Sequence, residues 1–166
     1  MAFLFMLAAE CGQHRRSAEL IVQHFESIRF ELSDGNSIGF SHDPGAIWTR
    51  GDVIWCWAIP DGVSAGGLPQ RVCTTAARVE LTKLIHAELR LLKGFRFALV
   101  GWEAALGPDW NEIVKEVATP ELLPPGLIID DDLYRTLGCP NGFEPFGEGT
   151  WWRPVSDEVY TQIIAF

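Results

Sequence analysis

Hydrophobic residues recur at helical spacing in two stretches of the chain. The first covers residues 14–28, where the apolar positions lie three or four residues apart: Ala18, Ile21, Val22, Phe25 and Ile28. The second covers residues 71–92, and its apolar side is formed by Val72, Ala76, Val79, Leu84, Ile85, Leu89 and Leu92. Gly94 follows where glycine commonly ends a helix. These two stretches predict the main helices.

Shorter apolar runs bounded by turn residues predict the strands. They lie at residues 2–9, 29–32, 37–41, 95–102 and 127–129, with one or two more between residues 47 and 59. The turn residues at 33–36 join the second and third runs into a hairpin. Residues 53–59 are apolar at every position, which is typical of a strand covered on both faces.

Only some of the predicted strands are separated by helices, which favours an α+β fold over a regular doubly wound one. We expect a mixed or mostly antiparallel central sheet with two main helices. Shorter C-terminal helices are predicted at residues 109–118, 132–137 and 156–166, the last one starting with a serine and two acids. A chain of 166 residues fits one domain, so residues 1–166 are interpreted as a single domain.

The acidic residues are concentrated in the last part of the chain. Residues 1–100 hold ten acidic and ten basic residues, whereas residues 101–166 hold twelve acidic residues and three basic ones. That excess of nine acids equals the formal net charge of −9 of the whole chain. A one-sided negative field repels nucleic acid and anionic membranes, and it attracts a basic partner. The alternative is a solvated acidic surface that only aids solubility.

Cysteine usage and the N-terminus indicate an intracellular protein. The cysteines at positions 11, 56, 73 and 139 are widely and irregularly spaced, without a CxxC pair. No Lys or Arg precedes the apolar residues 1–9, so we expect a buried first strand rather than a signal peptide. We therefore predict reduced thiols and a cytoplasmic location. Cys56, within an apolar run, is predicted to be a small buried hydrophobe.

The candidate chemistry is sparse. Asp130, Asp131 and Asp132 follow a short strand, where such carboxylates can hold Mg²⁺ or Ca²⁺, contact a partner, or cap the next helical turn through the second or third aspartate. Cys11 and His14 offer one close pair, whereas a zinc site usually needs two. The chain has no phosphate loop ending in Gly-Lys-Ser/Thr. We therefore predict no catalytic residue, no metal site and no cofactor.

Residues 139–152 combine glycine and proline with large aromatic side chains. Glycine and proline fix an irregular path, and aromatic rings give large contact areas at low entropy cost. Glu144 and Glu148 add negative charge. We expect either a loop tucked onto the core or an exposed recognition loop. The aromatic positions are Phe143, Phe146, Trp151 and Trp152.

The C-terminal part of the chain contains a series of short segments that occur together. Residues 123–129 read LPPGLII and residues 133–138 read LYRTLG, followed by GFEPF at 142–146 and WWRP at 151–154. These residues, less than a fifth of the chain, resemble segments of small immunity proteins encoded beside secreted interbacterial toxins, including those of type VI secretion systems. The resemblance implies a cytoplasmic protein without catalytic activity that binds one cognate toxin. Many such toxins are nucleases with basic sites, which an acidic surface can cover.

We accordingly predict an immunity protein that neutralises a cognate secreted toxin, with nucleases among the candidate targets, by stoichiometric binding. We expect a monomer or homodimer that binds neither nucleic acid nor membrane. Two alternatives are a small hydrolase or metal-dependent enzyme built on Cys11, His14 or the three aspartates, and a structural or assembly protein. The predicted partner-binding residues are acidic or aromatic: Asp130, Asp131, Asp132, Glu144, Glu148, Trp151, Trp152, Asp157 and Glu158.

Overall fold

The computed structural model describes residues 4–63, 74–102, 104 and 123–155. In chain order these residues form β1 (Phe5–Glu10), α1 (Arg15–Ser27), β2 (Phe30–Glu31), β3 (Ser37–Ile38), β4 (Ile47–Arg50), β5 (Val53–Ala58), α2 (Thr75–Leu89), β6 (Phe97–Trp102), β7 (Ile128–Asp130), α3 (Asp131–Thr136), β8 (Glu144–Gly147) and β9 (Thr150–Trp152). The helices predicted at 109–118 and 156–166 lie outside the described residues, and so do Asp157 and Glu158.

Seven strands form one sheet in the order β4–β5–β1–β6–β7–β9–β8, and every neighbouring pair is antiparallel. β2 and β3 form a separate hairpin around the turn at 33–36. The predicted α+β fold is therefore confirmed, together with its two main helices. β5 lies inside the sheet, and its buried residues Trp55 and Cys56 belong to clusters on opposite faces, as predicted for a strand covered on both sides.

α1 and α2 cover one face of the sheet. Their buried positions pack against β1 in a cluster that includes Phe5, Leu7, Ala9, Ala18, Ile21, Phe25, Leu81, Ile85 and Leu89. α1 buries the face that its sequence predicts. In α2 the predicted face is partly wrong, because Ala76 is exposed whereas Ala77 and Thr82 are buried. Apolar residues occur on several sides of α2, so their spacing alone does not select the buried face.

α3 and the residues before β7 help to cover the opposite face. The buried side chains of this cluster are Trp55, Phe97, Leu123, Leu127, Ile129, Leu133 and Leu137. α3 begins at Asp131, directly after β7, and Gly138 follows it in the left-handed conformation with φ +75°. The direct connection between β7 and α3 places the three consecutive aspartates at one end of the sheet.

The aromatic segment at 139–152 was predicted to be an irregular loop. The structure instead forms a hairpin of β8 and β9 at the edge of the main sheet. Gly149 supplies the positive φ of +69° in the turn. Phe146 is 5 % exposed, and Trp151 and Trp152 are half-buried, so the segment is tucked onto the core. Consecutive strand residues point to opposite faces, and the two tryptophans accordingly pack against different clusters.

The described cysteines are free thiols. Cys11 and Cys56 are fully buried, whereas Cys139 is exposed. The predicted burial of Cys56 is therefore confirmed. A hydrogen bond with Cys11, and then burial, raise the pKa of the Cys56 thiol well above its usual value. The thiol consequently stays protonated and behaves as a small apolar side chain at the interface between the sheet and the helices.

Candidate functional site

A cleft of about 620 Å³ opens at one end of the sheet. The end of β1, the start of β6 and the end of β7 meet there, together with the β4–β5 and β8–β9 turns. Its volume lies within the range of ligand-binding pockets, roughly 300–1,000 Å³. We name it the acidic cleft, and its charged or titratable lining residues are His14, Asp52, Lys93, Arg96, Asp130, Asp132 and Glu148.

Glu10 lies behind the wall of the acidic cleft. It is the last residue of β1 and is 1 % exposed. Its Oε1 atom accepts hydrogen bonds from Arg96 Nε at 2.5 Å and from the Gly12 amide at 3.2 Å, and both donors belong to residues that line the cleft. Within the described part of the chain, Glu10 Oε2 has no hydrogen-bond partner. The same holds for the buried Nε1 atom of Trp55, the residue of β5 that lies opposite Glu10 in the sheet.

The environment of Glu10 determines how much charge Arg96 can contribute to the cleft. Burial raises the pKa of Glu10, because a carboxylate loses its hydration in the interior. The hydrogen bond and the positive charge of Arg96 oppose this rise without cancelling it. Arg96 therefore pairs with a buried carboxylate, and its charge also acts on Asp130, whose pKa it lowers.

Asp130 joins the cleft to α3. Its Oδ1 atom accepts a 2.7 Å hydrogen bond from the Leu133 amide and so caps the helix, a role that the sequence assigned to Asp131 or Asp132. Asp130 is the cap because α3 begins at Asp131, one residue earlier than the sequence predicted. Burial is the main cause that raises the pKa of Asp130, and the neighbouring aspartates add to it.

The three consecutive aspartates serve different neighbours. Asp131 accepts a hydrogen bond from Trp151 Nε1 at 2.5 Å and pairs with Arg135 at 2.9 Å. Asp132 is exposed and lines the cleft. Over the described ranges, no three His, Cys, Asp or Glu side chains are placed to hold one metal ion. Asp130 therefore caps α3, Asp131 pairs with Arg135 at the surface, and Asp132 contributes an acid to the cleft.

The acids of the β8–β9 hairpin also differ in position. Glu148 lines the cleft and accepts a 2.6 Å hydrogen bond from Lys93, which lowers the pKa of Glu148. Glu144 is exposed at the start of β8 and does not line the cleft. Of the seven predicted contact residues that the structure describes, the cleft thus brings together Asp130, Asp132 and Glu148.

The acidic cleft has an unbalanced negative charge. Lys93 pairs with Glu148 and Arg96 pairs with Glu10. In the described residues, no ion pair neutralises Asp52, Asp130 or Asp132. Carboxylates gathered in a concave, partly apolar site focus their field outward, which raises the local concentration of cations.

Trp151 and Trp152 take part in two different aromatic groups. Trp151 stacks on Tyr134 with ring centroids 4.2 Å apart. Trp152 packs against His86 and Phe146 on the opposite face, with centroid distances of 5.7 and 5.4 Å. A partner that approaches one face of the sheet therefore reaches only one of these tryptophans.

The side chains proposed for an enzyme are only partly brought together: His14, Asp130 and Asp132 line the cleft, whereas Cys11 does not. Cys11 is fully buried in the cluster beneath α1, whereas His14 is exposed and lines the cleft. Ser64 lies outside the described residues, within a Gly-Val-Ser-Ala-Gly sequence that has the spacing of a nucleophile elbow.

Comparisons with known proteins identify no relative. No protein-family model, no curated protein and no solved structure matches the chain. In the described residues, no helix combines the length and the apolar character that crossing a membrane requires. The resemblance to immunity proteins therefore stays a prediction, and any functional argument depends on the cleft and its surroundings.

Sequence reasoning missed four residues of the site: Glu10, Asp52, Lys93 and Arg96. Their positions in the chain are far from the C-terminal acids, and only the antiparallel order of the strands brings them to one end of the sheet. One signal was present, because Glu10 is an acid at the end of an otherwise apolar strand. A charged residue at such a position is rarely buried without a partner.

Proposed function

We propose that the protein is an immunity protein that binds a basic surface of a cognate secreted toxin in the cytoplasm and blocks it by stoichiometric association. The observation that carries this proposal is the acidic cleft, where acids outnumber cations. Asp52, Asp130, Asp132 and Glu148 line it together with only Lys93 and Arg96 as permanent cations among the described residues. The resemblance of the C-terminal segments to immunity proteins is consistent with the same function.

The cleft acids suit a partner that carries arginine or lysine. Complementary charge accelerates encounter and selects against partners of like charge. The whole chain has a net charge of −9, so the long-range field acts in the same direction as the cleft. Both fields repel nucleic acid and anionic membranes, and both attract a basic protein surface.

Two cleft acids are suited to substitution without damage to the fold. Asp52 and Asp132 are exposed, and their carboxylates make no hydrogen bond to another described residue. Asp130 is less suitable, because it caps α3. Asp34 offers a matched control outside the cleft, since its Oδ1 atom accepts from the Asn36 amide at 3.0 Å, and an asparagine carbonyl can do the same.

The test is co-expression with the toxin encoded by the adjacent gene, followed by size-exclusion chromatography of the mixture. Wild-type protein should restore growth and form a complex of fixed stoichiometry. The double variant Asp52→Asn/Asp132→Asn should protect poorly at low expression, whereas Asp34→Asn should protect like the wild type. Failure of the wild-type protein to bind or protect would refute the proposed function.

A further inference from the structure

A second concave surface lies beside the acidic cleft. It is a groove of about 510 Å³ between α1 and the segment after α2. Leu20, Ile21 and His24 contribute from α1, and Leu91, Leu92 and Lys93 contribute from the other side. We name it the apolar groove. Lys93 lines both the groove and the cleft, so the two surfaces adjoin at this residue.

The apolar groove carries two exposed leucines, Leu20 and Leu91. Leu20 is 48 % exposed and Leu91 is 71 % exposed, and they are the large apolar side chains that the described residues leave exposed. Single exposed leucines are common, but two that line the same groove form a patch. Neither leucine belongs to the hydrophobic clusters of the described residues.

The charge around the groove determines which occupant fits. An anionic lipid surface would be repelled by the neighbouring cleft acids. A second copy of the chain would bring a second net charge of −9 against the same acids. A protein segment can place a cationic side chain in the cleft and an apolar side chain in the groove. The Lys93 ammonium lies between the two surfaces, but its pairing with Glu148 reduces the repulsion that it would exert on such a segment.

We propose that the acidic cleft and the apolar groove form one docking surface for a basic protein segment, which places a cationic side chain in the cleft and an apolar side chain in the groove. This proposal rests on the proposed function in one respect: it assumes that the partner is a protein. Anchoring at both sites makes the second contact intramolecular, and this raises affinity above that of either contact alone.

The test is a titration of the ¹⁵N-labelled full chain followed by amide chemical shifts. The probes are acetyl-arginine amide, acetyl-leucine amide, and a short glycine-serine peptide that carries one arginine and one leucine. The arginine probe should shift amides around Asp52 and Asp132, and the leucine probe should shift amides around Leu20 and Leu91. The joined peptide should shift both sets and bind at least about tenfold more tightly than either probe.

Substitutions separate the two halves of the surface. Leu91→Ser should reduce the affinity of the joined peptide to that of the arginine probe, and Asp52→Asn should reduce it towards that of the leucine probe. Asp34→Asn, outside both surfaces, should leave the affinity unchanged. Absent shifts at either surface, or a joined peptide that binds no more tightly than the arginine probe, would overturn the proposal.

Sedimentation and toxin binding distinguish the other outcomes. A dimer of the chain that Leu91→Ser converts to monomer would show that the groove is a self-interface, and this also overturns the proposal. If the toxin is neutralised equally by wild type and Leu91→Ser, the two-part surface fails while the proposed function stands. If the joined peptide binds as expected but the adjacent toxin does not, only the proposed function fails.

Discussion

Protonation of His86 should destabilise the fold at acidic pH. His86 is 5 % exposed on the inward side of α2, where it meets Phe146 and Trp152 edge-on, with centroids 6.1 and 5.7 Å away. Burial, and then the nearby positive charge of Arg90, lower the pKa of His86 from 6.5 to about 4. Arg90 itself lies 4.9 Å from the centre of the Phe146 ring.

The direction and the size of the effect follow from this pKa. In the unfolded chain the imidazole takes up its proton near pH 6.5, whereas in the folded protein it does so only near pH 4. The folded state therefore gains its full stabilisation from neutral His86 above about pH 6.5. This contribution to the free energy of unfolding is lost as the pH falls from 6.5 towards 4. One pKa unit corresponds to about 1.4 kcal/mol, so the loss is about 3 kcal/mol.

The assay is urea unfolding followed by tryptophan fluorescence between pH 7 and pH 4, for the wild type and for His86→Gln. Glutamine is neutral throughout, so the variant should lose about 3 kcal/mol less than the wild type over this range. His42→Gln is the matched control, because the His42 side chain is 74 % exposed and pairs only with Glu26 at the surface of the described residues, and its decline should stay close to that of the wild type. Parallel declines of the wild type and His86→Gln would refute the reasoning.

Three further predictions test other parts of the structure. Burial raises the folded-state pKa of Glu10, so its contribution to stability declines as pH rises from acid to neutral, and Glu10→Gln should remove this decline in urea unfolding. Phe146→Ala should cost about 3–5 kcal/mol in the same assay, and Phe143→Ala, at a half-buried ring, should cost less. Asp131→Asn should slow toxin association less than Asp132→Asn in stopped-flow fluorescence, because Asp131 is held by Trp151 and does not line the cleft.

Local signals in the sequence were enough to predict much of the fold. The helical spacing of α1, the turn between β2 and β3, and the break between β4 and β5 all correspond to elements in the structure. The β8–β9 hairpin was missed because both strands are short and β8 contains glycine and proline, which usually interrupt strands. The buried face of α2 was partly misassigned, since it includes the polar residues Thr82 and His86.

The candidate site could be predicted only in part. Asp130, Asp132 and Glu148 were identified from the concentration of acids near the C-terminus. Asp52 joins them only because the β4–β5 turn reaches the same end of the sheet as β7, and that arrangement depends on strand order. Sequence alone also could not show that Trp151 and Trp152 face opposite sides, since their strand was not predicted.

The central claim is that the acidic cleft captures a basic toxin. It is tested most directly by the rate of association between the protein and the adjacent-gene toxin as ionic strength increases. For the wild type, this rate should be high at low salt and fall steeply as salt screens the cleft. Asp52→Asn/Asp132→Asn should associate about tenfold more slowly at low salt, with a flatter dependence. Equal rates and equal salt dependence for the two proteins would contradict the claim.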